Sequence, residues 1–388
     1  MNYSVLIIAL ECHYSHVTRF IKYLKSTNPS VDISLFTDKA IVPDEIKENT
    51  KEIIYREWSS PKRGIKIKAV SKLFNKWLMF KQFKELSKQR HFDIINVHFA
   101  QYYMAFVVPF LKRMSTKLIL TPWGSDILRV SSKMKILFLK RLYQNADMIT
   151  TGTEYYLGNY IIHTFHVDAK NMRSLRWGSE TIDYINDYLV HITKDDAKRE
   201  LGLAGYYIIT CGYNAFQEQR HEQMIRAIYS IREHLPEKTV LFFPVTYGRD
   251  SKKREYIQHL KYLCEDLGLQ ALFYEEYLEV KVIFLLRRSS DMFIHVQTTD
   301  AGNSSIMEYC ICGNKIIHGS WIYYKWMDRS PIFYFPVDDL NELPHVILNA
   351  YKSHLPALPG DVISTIKSRG WKERMVEWDE AFTRLLQQ

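Results

Sequence analysis

Short apolar runs alternate with polar or helix-prone segments along the first half of the chain. Each run has the length of a buried strand, and the runs are "YSVLIIAL", "DISLFT", "FDIINVHF", "KLILTPWG" and "DMITTGT". Strands that alternate with helical segments are typical of an α/β fold with a parallel sheet. We therefore expect the first half to form one such sheet.

A second series of apolar runs follows the polar, glycine-punctuated segment "GSETIDYINDYLVHITKDDAKRELGLAG". Its runs are "YYIITCG", "TVLFFPVTYG", "ALFYEEY", "MFIHVQTTD" and "NKIIHG". At 388 residues the chain exceeds one ordinary core. We predict two doubly wound, Rossmann-like domains, 1–185 and 186–365, and an amphipathic C-terminal helix in 366–388. That helix can pack on either domain, and packing back on the first is one option.

Composition narrows the class of protein. With 47% hydrophobic and 24% charged residues, the chain has a globular composition. Its five cysteines have no framework or zinc-site spacing, which favours a reduced, cytoplasmic protein without a metal site. We expect the first apolar run to be a buried strand and not a signal peptide. No run reaches the roughly 18 apolar residues of a membrane span.

The net charge of +9 is concentrated in the segment 56–90. This segment holds eleven Lys and Arg residues against Glu57 and Glu85, and aromatic residues lie between them. Basic residues mixed with aromatics suit an anionic membrane surface. The alternative is a solvated helix face over core aromatics. We do not expect nucleic-acid binding, because no recognition motif accompanies the charge.

The stretch "TTDAGNSSIMEYCICGNKI" carries the candidate chemistry of the second domain. Small polar residues follow an apolar strand and open a helix: Gly302 allows close backbone approach, and Asn303, Ser304 and Ser305 are N-cap types. The free N–H groups and the dipole of a helix start bind anions. Ligands of open α/β sheets lie outside the carboxyl ends of the strands, so a diphosphate is the candidate ligand.

Two acidic residues, Asp300 and Glu308, flank this helix start eight positions apart. Asp300 can reach hydroxyls beside the phosphates, and Glu308 can accept hydrogen bonds from two ribose hydroxyls. A site that binds phosphates through backbone amides and sugar hydroxyls through carboxylates suits a nucleotide-sugar donor. The alternative is an ordinary capped helix with a surface glutamate.

Polar side chains follow the predicted strands of the first domain. Histidine at the carboxyl end of a strand can act as a base or a hydrogen-bond donor. Each residue can equally be structural, and Asp126 can simply cap the next helix. The candidates on this side are Glu11, His13, His16, His98, Trp123 and Asp126.

Several segments resemble, in order, motifs of the family-4 type glycosyltransferases of GT-B fold. Asp300 to Glu308 resembles their E-x7-E motif with aspartate at the first acidic position. The other matching segments are "TPWGSDILRV", "NADMITTGTEYYLGNYI", "LRWGSETIDYI", "TCGYNAFQEQRHEQMIRAI" and "GNKIIHGSW". The resemblance implies two Rossmann-like domains facing a cleft and a nucleotide-sugar donor. It adds as donor-binding candidates Gly212, Asn214, Arg220, His221 and Tyr247.

A narrower resemblance links "FFPVTYG", "YEEYL" and neighbouring blocks to the family-56 enzyme that transfers N-acetylfucosamine to a lipid-linked intermediate. There are departures from the family-4 pattern. Trp123 replaces the histidine before G-S-D, and "LECHYSHVTRF" replaces a glycine-rich loop. The histidine's contact with the donor sugar therefore cannot be carried over to Trp123.

These resemblances imply glycosyl transfer to a glycan or lipid-linked acceptor, in bacterial surface polysaccharide synthesis, on the inner face of the membrane. Arg220 and the amides of 302–305 would stabilise the leaving diphosphate without a metal or other cofactor. The intact acidic spacing slightly favours retention, while inversion would use as its base Glu11, His13 or His98. The alternatives are a GT-B epimerase and a non-catalytic nucleotide-sugar-binding module.

Overall fold

The computed structural model describes residues 2–10, 14–56, 68–153, 156–248, 250–298, 304–324, 326–329 and 331–388. The chain divides into two compact units. The first unit comprises Met1–Gly178 and Trp371–Gln388, and the second comprises Ser179–Gly370.

The first unit contains a parallel sheet with the strand order β3-β2-β1-β4-β5-β6. Its strands are β1 Ser4–Ala9, β2 Asp32–Thr37, β3 Glu52–Tyr55, β4 Phe92–His98, β5 Ser115–Thr121 and β6 Met148–Ile149. The helices before residue 178 are α1 Tyr14–Thr27, α2 Asp44–Asn49, α3 Lys68–Gln89, α4 Val108–Arg113, α5 Ser125–Leu128, α6 Lys133–Gln144 and α7 Tyr156–Phe165.

Helices cover both faces of this sheet, which explains why its strands are continuous apolar runs. Successive side chains of β1 point to opposite faces. Leu6 and Ile8 belong to a core that includes residues of α3, α4 and α6. Val5 and Ile7 belong to a second core that includes residues of α1 and of the chain's last helix.

The second unit also contains a parallel sheet, with the strand order β12-β11-β10-β7-β8-β9. Its strands are β7 Tyr207–Cys211, β8 Thr239–Pro244, β9 Ala271–Tyr274, β10 Met292–His295, β11 Lys315–Gly319 and β12 Phe335–Val337. Its helices are α8 Glu180–Tyr188, α9 Lys194–Glu200, α10 His221–Ser230, α11 Asp250–Asp266, α12 Val280–Ser289, α13 Ser305–Ile311, α14 Trp326–Arg329, α15 Leu343–Lys352 and α16 Gly360–Lys367.

The last helix, α17 (Trp371–Leu386), packs against α1 of the first unit. Trp371, Trp378 and Phe382 are buried there. The Tyr3 hydroxyl donates a 2.7 Å hydrogen bond to Asp379 Oδ1. The C-terminal helix therefore completes the core of the first unit.

The boundaries between the units differ from the predicted ones, 185/186 and 365/366. Ile182 and Ile185 of α8 pack in the core of the second unit, together with Ile366 of α16. The Ser179 N–H donates to the Arg369 carbonyl at 2.9 Å. Residues 179–185 and 366–370 thus belong to the second unit because their apolar side chains are buried in it.

Each sheet reverses its winding at one point. In the first, the chain moves outward from β1 in one direction and from β4 in the other. In the second, the same reversal occurs between β7 and β10. The carboxyl ends of strands at such switch points are where open α/β sheets bind ligands. The candidate sites are therefore sought beside these two strand pairs.

Candidate functional site

The loops after β7 and β10 are joined at the switch point of the second sheet. The Gly212 N–H donates to the Ile294 carbonyl at 3.1 Å, and the Thr298 N–H donates to the Glu218 carbonyl at 2.9 Å. The two loops therefore form one backbone surface at the carboxyl edge of the sheet.

Gly212, the first residue after β7, packs very closely against two side chains of the same loop region. Its φ is 64°, in the left-handed region. A Cβ atom there would lie 2.6 Å from Gln219 Oε1 and 2.8 Å from His221 Nε2. Only glycine satisfies both the backbone conformation and the lack of space.

A network of buried amides supports the loops. Gln219 Nε2 donates to Gln297 Oε1. Gln297 Nε2 in turn donates to the Tyr213 hydroxyl at 3.2 Å. Both glutamines are buried. The sequence reasoning missed them, because isolated amides leave no periodicity or motif to find.

Arg220 lies directly before α10 with a φ of 65°. Its guanidinium carbon is 5.0 Å from the centroid of the Trp321 ring, a cation–π contact. One guanidinium nitrogen lies 3.4 Å from the Val296 carbonyl, and the Trp321 indole N–H donates to the Gln297 carbonyl at 2.7 Å. The Arg220 guanidinium is thereby held at the switch point of the second sheet.

The other predicted donor-side residues, in the loops after β7 and β8, have structural contacts. Asn214 Oδ1 accepts a hydrogen bond from the Phe216 N–H at 2.9 Å. The half-exposed Tyr247 accepts a backbone hydrogen bond from Ala215 at 2.7 Å. His221 is buried, and burial lowers its pKa to about 3, so its ring is neutral near pH 7. All three lie at the carboxyl edge of the sheet.

Glu308 is buried on α13 and forms an ion pair. Its Oε2 is 3.2 Å from Arg287 Nε, and its Oε1 accepts a hydrogen bond from the Ser179 hydroxyl at 3.0 Å. Arg287 also donates to the Tyr309 hydroxyl at 2.6 Å and to Ser305 Oγ at 3.4 Å. Glu308 is therefore an internal, charge-compensated carboxylate and not the surface glutamate of the alternative interpretation.

Only part of the predicted anion site is placed. Ser304 is exposed and Ser305 is buried at the start of α13. Asp300, Gly302 and Asn303 lie outside the described residues.

At the carboxyl edge of the first sheet, His98 lies inside an aromatic cluster. It is 1% exposed, and its ring centroid lies 4.8 Å from that of Phe20 and 5.5 Å from that of Trp177. Burial is the main reason that its pKa is lowered to about 3, with a smaller effect from His16. A buried, weakly basic imidazole is poorly suited to accept a proton from an acceptor hydroxyl, contrary to its predicted role as a base.

Three other predicted residues on this edge, His16, Trp123 and Asp126, lie close together. The ring centroids of His16 and Trp123 lie 5.3 Å apart. Buried Asp126 reaches back from α5, and its Oδ1 accepts the Trp123 N–H at 3.0 Å. Burial raises the pKa of Asp126 to about 6, against backbone hydrogen bonds that lower it. Glu11 and His13 lie outside the described residues.

The described residues contain no group of three or more His, Cys, Asp or Glu side chains that could hold a metal ion. Within the same ranges, no helix is long and apolar enough to span a membrane.

The described part of segment 56–90 forms a lysine-rich apolar surface. On α3, Phe74 is 46% and Trp77 is 54% exposed, and their rings stack at 5.5 Å. Lys76 Nζ donates to the Tyr102 hydroxyl at 2.7 Å, and Lys135 of α6 lies 4.9 Å from the same ring. Met79 and Phe83 of α3 are buried, as the solvated-face alternative expects, whereas the exposed Phe74 and Trp77 are not core aromatics. Residues 57–67 lie outside the described residues.

Comparison with known proteins agrees with the first-unit motifs and with the fold. The model of the glycosyl transferase 4-like family matches residues 5–153. No curated protein matches the chain.

Solved structures match over nearly the whole chain at low identity. Sucrose-phosphate synthase from Thermosynechococcus elongatus has a TM-score of 0.65 at 13% identity, over 99% of each chain. A glycosyltransferase from Rickettsia africae has a TM-score of 0.64 at 12% identity, again over 99% of each chain. Anabaena Alr3699/HepE in complex with UDP-glucose has a TM-score of 0.59 at 12% identity, with 99% of each chain covered.

At such identity the likeness shows the fold. The predicted α/β class with two doubly wound units, of GT-B type, is confirmed. The family match and the fold together support a glycosyl-transferring enzyme of GT-B type. The narrower resemblance to the family-56 enzyme stays a prediction.

Proposed function

We propose that the chain is a glycosyltransferase that takes its sugar from a nucleoside diphosphate donor. The observation that carries this proposal is the placement of Arg220 at the switch point of the second sheet, between the loops after β7 and β10. A fixed cation there suits the negative charge that develops on a leaving diphosphate. The glycosyl transferase 4-like match to residues 5–153 supports the reaction class.

The donor would lie along the joined loops of the second unit. Gly212 lets the loop pack closely against Gln219 and His221, next to Arg220, and Arg220 donates to the diphosphate oxygens. The family resemblance adds the amides of 302–305 for the phosphates and Asp300 for the transferred sugar. Glu308 would accept ribose hydroxyls with the lone pairs that Arg287 and Ser179 leave available, since an ionised carboxylate has about four acceptor sites.

The reaction would proceed without a metal, with Arg220 serving as the electrophilic group. The Asp300–Glu308 spacing slightly favours retention, in which the donor phosphate assists and no protein base is needed. Inversion remains the second possibility and would use Glu11 or His13. The buried, weakly basic His98 is the least suited of the predicted bases.

The acceptor would be a glycan or a lipid-linked glycan, in bacterial surface polysaccharide synthesis. The lysine-rich apolar surface of α3 and α6 supports a lipid-linked acceptor, because it suits peripheral binding to an anionic membrane face. The protein would then work at the cytoplasmic side of the membrane, where nucleotide-sugar donors are made.

Thermal-shift titration with nucleoside diphosphates tests the donor site. A ligand at 100 times its dissociation constant adds about 2.7 kcal/mol of stability. We expect Arg220→Ala to lower turnover more than donor affinity, while Arg226→Ala, an exposed arginine on the same helix, leaves both unchanged. Absence of any shift with every nucleoside diphosphate contradicts the proposal. Incubation with nucleotide sugars alone separates transfer from epimerisation, because an epimerase turns over without an acceptor.

A further inference from the structure

Four aromatic side chains form a wall at the carboxyl edge of the first sheet. We call them the aromatic wall, and they are His16, Phe99, Trp123 and Trp177. Trp123 is their centre: its ring centroid lies 5.3 Å from that of His16, 5.7 Å from that of Phe99 and 5.5 Å from that of Trp177. The three rings meet Trp123 at 71–88°, which is edge-to-face packing.

The wall is assembled from separate parts of the chain at the switch point of the sheet. His16 belongs to α1, which follows β1, whereas Phe99 follows β4 and Trp123 follows β5. His16 is exposed, and the other three rings are partly exposed. Side chains from three neighbouring strand ends therefore converge where ligands of such sheets bind.

The backbone is strained to place one of these rings. Phe99 has a φ of 54°, a conformation that bulky residues rarely adopt. Its N–H donates to the Thr121 carbonyl at 3.1 Å, which holds the strained residue next to β5. Glycine would adopt this conformation without strain, so the presence of phenylalanine points to a use for the ring. Such strain is concentrated at ligand-binding sites.

Polar atoms behind the wall lack partners. Neither ring nitrogen of His98 has a hydrogen-bond partner among the described residues, and the same holds for Trp123 Nε1. His98 is 99% buried and its ring contacts that of Trp177, a member of the wall. Buried polar atoms are normally hydrogen-bonded, and the exceptions call for an explanation. These nitrogens are themselves covered by protein, so a hydroxyl-rich ligand on the wall would reach them only after the covering rings shift.

We propose that the aromatic wall binds a sugar ring of the acceptor. The C–H face of a pyranose packs against aromatic rings, and a shift of the covering rings would let its hydroxyls pair with the buried, unpartnered nitrogens of His98 and Trp123. This inference rests on the proposed function and names the class of group bound on the acceptor side. It also gives Trp123 a role of its own in place of the donor contact made by the family's histidine.

Saturation-transfer NMR with methyl glycosides tests the wall directly. The probes are the methyl glycosides of glucose, galactose, mannose, N-acetylglucosamine and N-acetylgalactosamine, each added to the full chain with UDP present. We expect at least one glycoside to receive saturation mainly on the protons of one ring face. Trp123→Ala should bind it about tenfold more weakly. Tyr262→Ala, which removes an exposed tyrosine of α11, should bind it as the wild type does.

Phe99→Gly separates binding from folding. It relieves the strain but also removes the packing of this partly buried ring on the core, so we expect only a modest fall in melting temperature together with weaker glycoside binding. The inference is overturned if no glycoside receives saturation, or if both Trp123→Ala and Phe99→Gly bind like the wild type. Loss of the UDP signal in Trp123→Ala also overturns it, because the wall would then belong to the donor site. If UDP binds and the glycosides do not, the inference fails while the proposed function stands.

Discussion

The carboxylate of Glu308 and the guanidinium of Arg287 lie 3.2 Å apart, and both side chains are buried in the second unit. Removing one partner of a buried pair leaves an uncompensated charge and costs about 3–5 kcal/mol. We therefore expect Glu308→Gln to lower the free energy of unfolding by that amount, in addition to any effect on donor binding. Urea denaturation followed by circular dichroism measures it.

A double-mutant cycle isolates the pair. Arg287→Met should also destabilise, and combining it with Glu308→Gln should cost less than the sum of the two single changes, since no buried charge is then left alone. Additive losses would show that the interaction between Glu308 and Arg287 contributes little to stability.

Gly212 should tolerate no side chain. Gly212→Ala places a methyl group in the left-handed region and against Gln219 and His221, so we expect a loss of about 1–3 kcal/mol in stability and weaker nucleotide binding. Gly268→Ala is the matched control, because its φ is 63° and a Cβ there meets nothing within 4 Å. Thermal unfolding with and without UDP compares the two variants. Equal losses would mean that the backbone conformation alone matters at Gly212.

Stability should depend on pH through His98 and Asp126 in opposite directions. The pKa of His98 is about 3 in the folded chain against 6.5 ordinarily. The favourable contribution of neutral His98 to the free energy of unfolding is therefore complete above about pH 6.5 and is lost as pH falls towards 3. The pKa of Asp126 is about 6 against 3.8, so its contribution is complete below pH 3.8 and is lost as pH rises through 6. Each accounts for at most about 1.4 kcal/mol per pH unit.

Substitution can separate the contributions of His98 and Asp126 to the pH dependence of stability. Between pH 4 and 6, Asp126→Asn should make stability rise more steeply with pH, and His98→Leu should make it rise less steeply or fall. Urea midpoints at half-unit intervals of pH give the slopes. Parallel curves for wild type and both variants would show that neither group is perturbed as described.

Vesicle binding should require both charge and aromatic area on the lysine-rich apolar surface. We expect the wild type to co-sediment with anionic vesicles and to be released by salt, because exposed charges are screened within about 8 Å at physiological ionic strength. Trp77→Ala and the double variant Lys81→Glu/Lys84→Glu should both bind more weakly. The double variant Lys238→Glu/Lys352→Glu makes the same charge change on exposed lysines of the second unit and serves as the control. Wild type that stays in the supernatant at low salt would indicate a merely solvated surface.

The sheets could be predicted because buried strands are continuous apolar runs, and continuity is visible in the sequence. The exact division between the units was not predictable in the same way. The apolar positions of α8 show that one face of the helix is buried, but they do not show which core receives it. Ile182 and Ile185 pack in the second unit, although they precede the predicted boundary.

The candidate site was predicted in part for a similar reason. The family resemblance pointed to Gly212 and Arg220, both of which have a positive φ. It could not pair Glu308 with Arg287, which lies 21 positions earlier on another helix. Nor could it show that His98 lies beneath Trp177, because that contact depends on how the chain returns to the first sheet after residue 170.

The return of α17 to the first unit sets an order for folding during synthesis. The second unit is one continuous segment, Ser179–Gly370, and its core needs no residue outside that segment. The first unit needs Trp371, Trp378 and Phe382, and Tyr3 meets Asp379 across 376 positions. Its face beside α1 therefore stays uncovered on the ribosome until the final helix emerges. Because α17 follows the whole second unit in the sequence, we expect this apolar face to be exposed in nascent chains and to be where aggregation or chaperone binding begins.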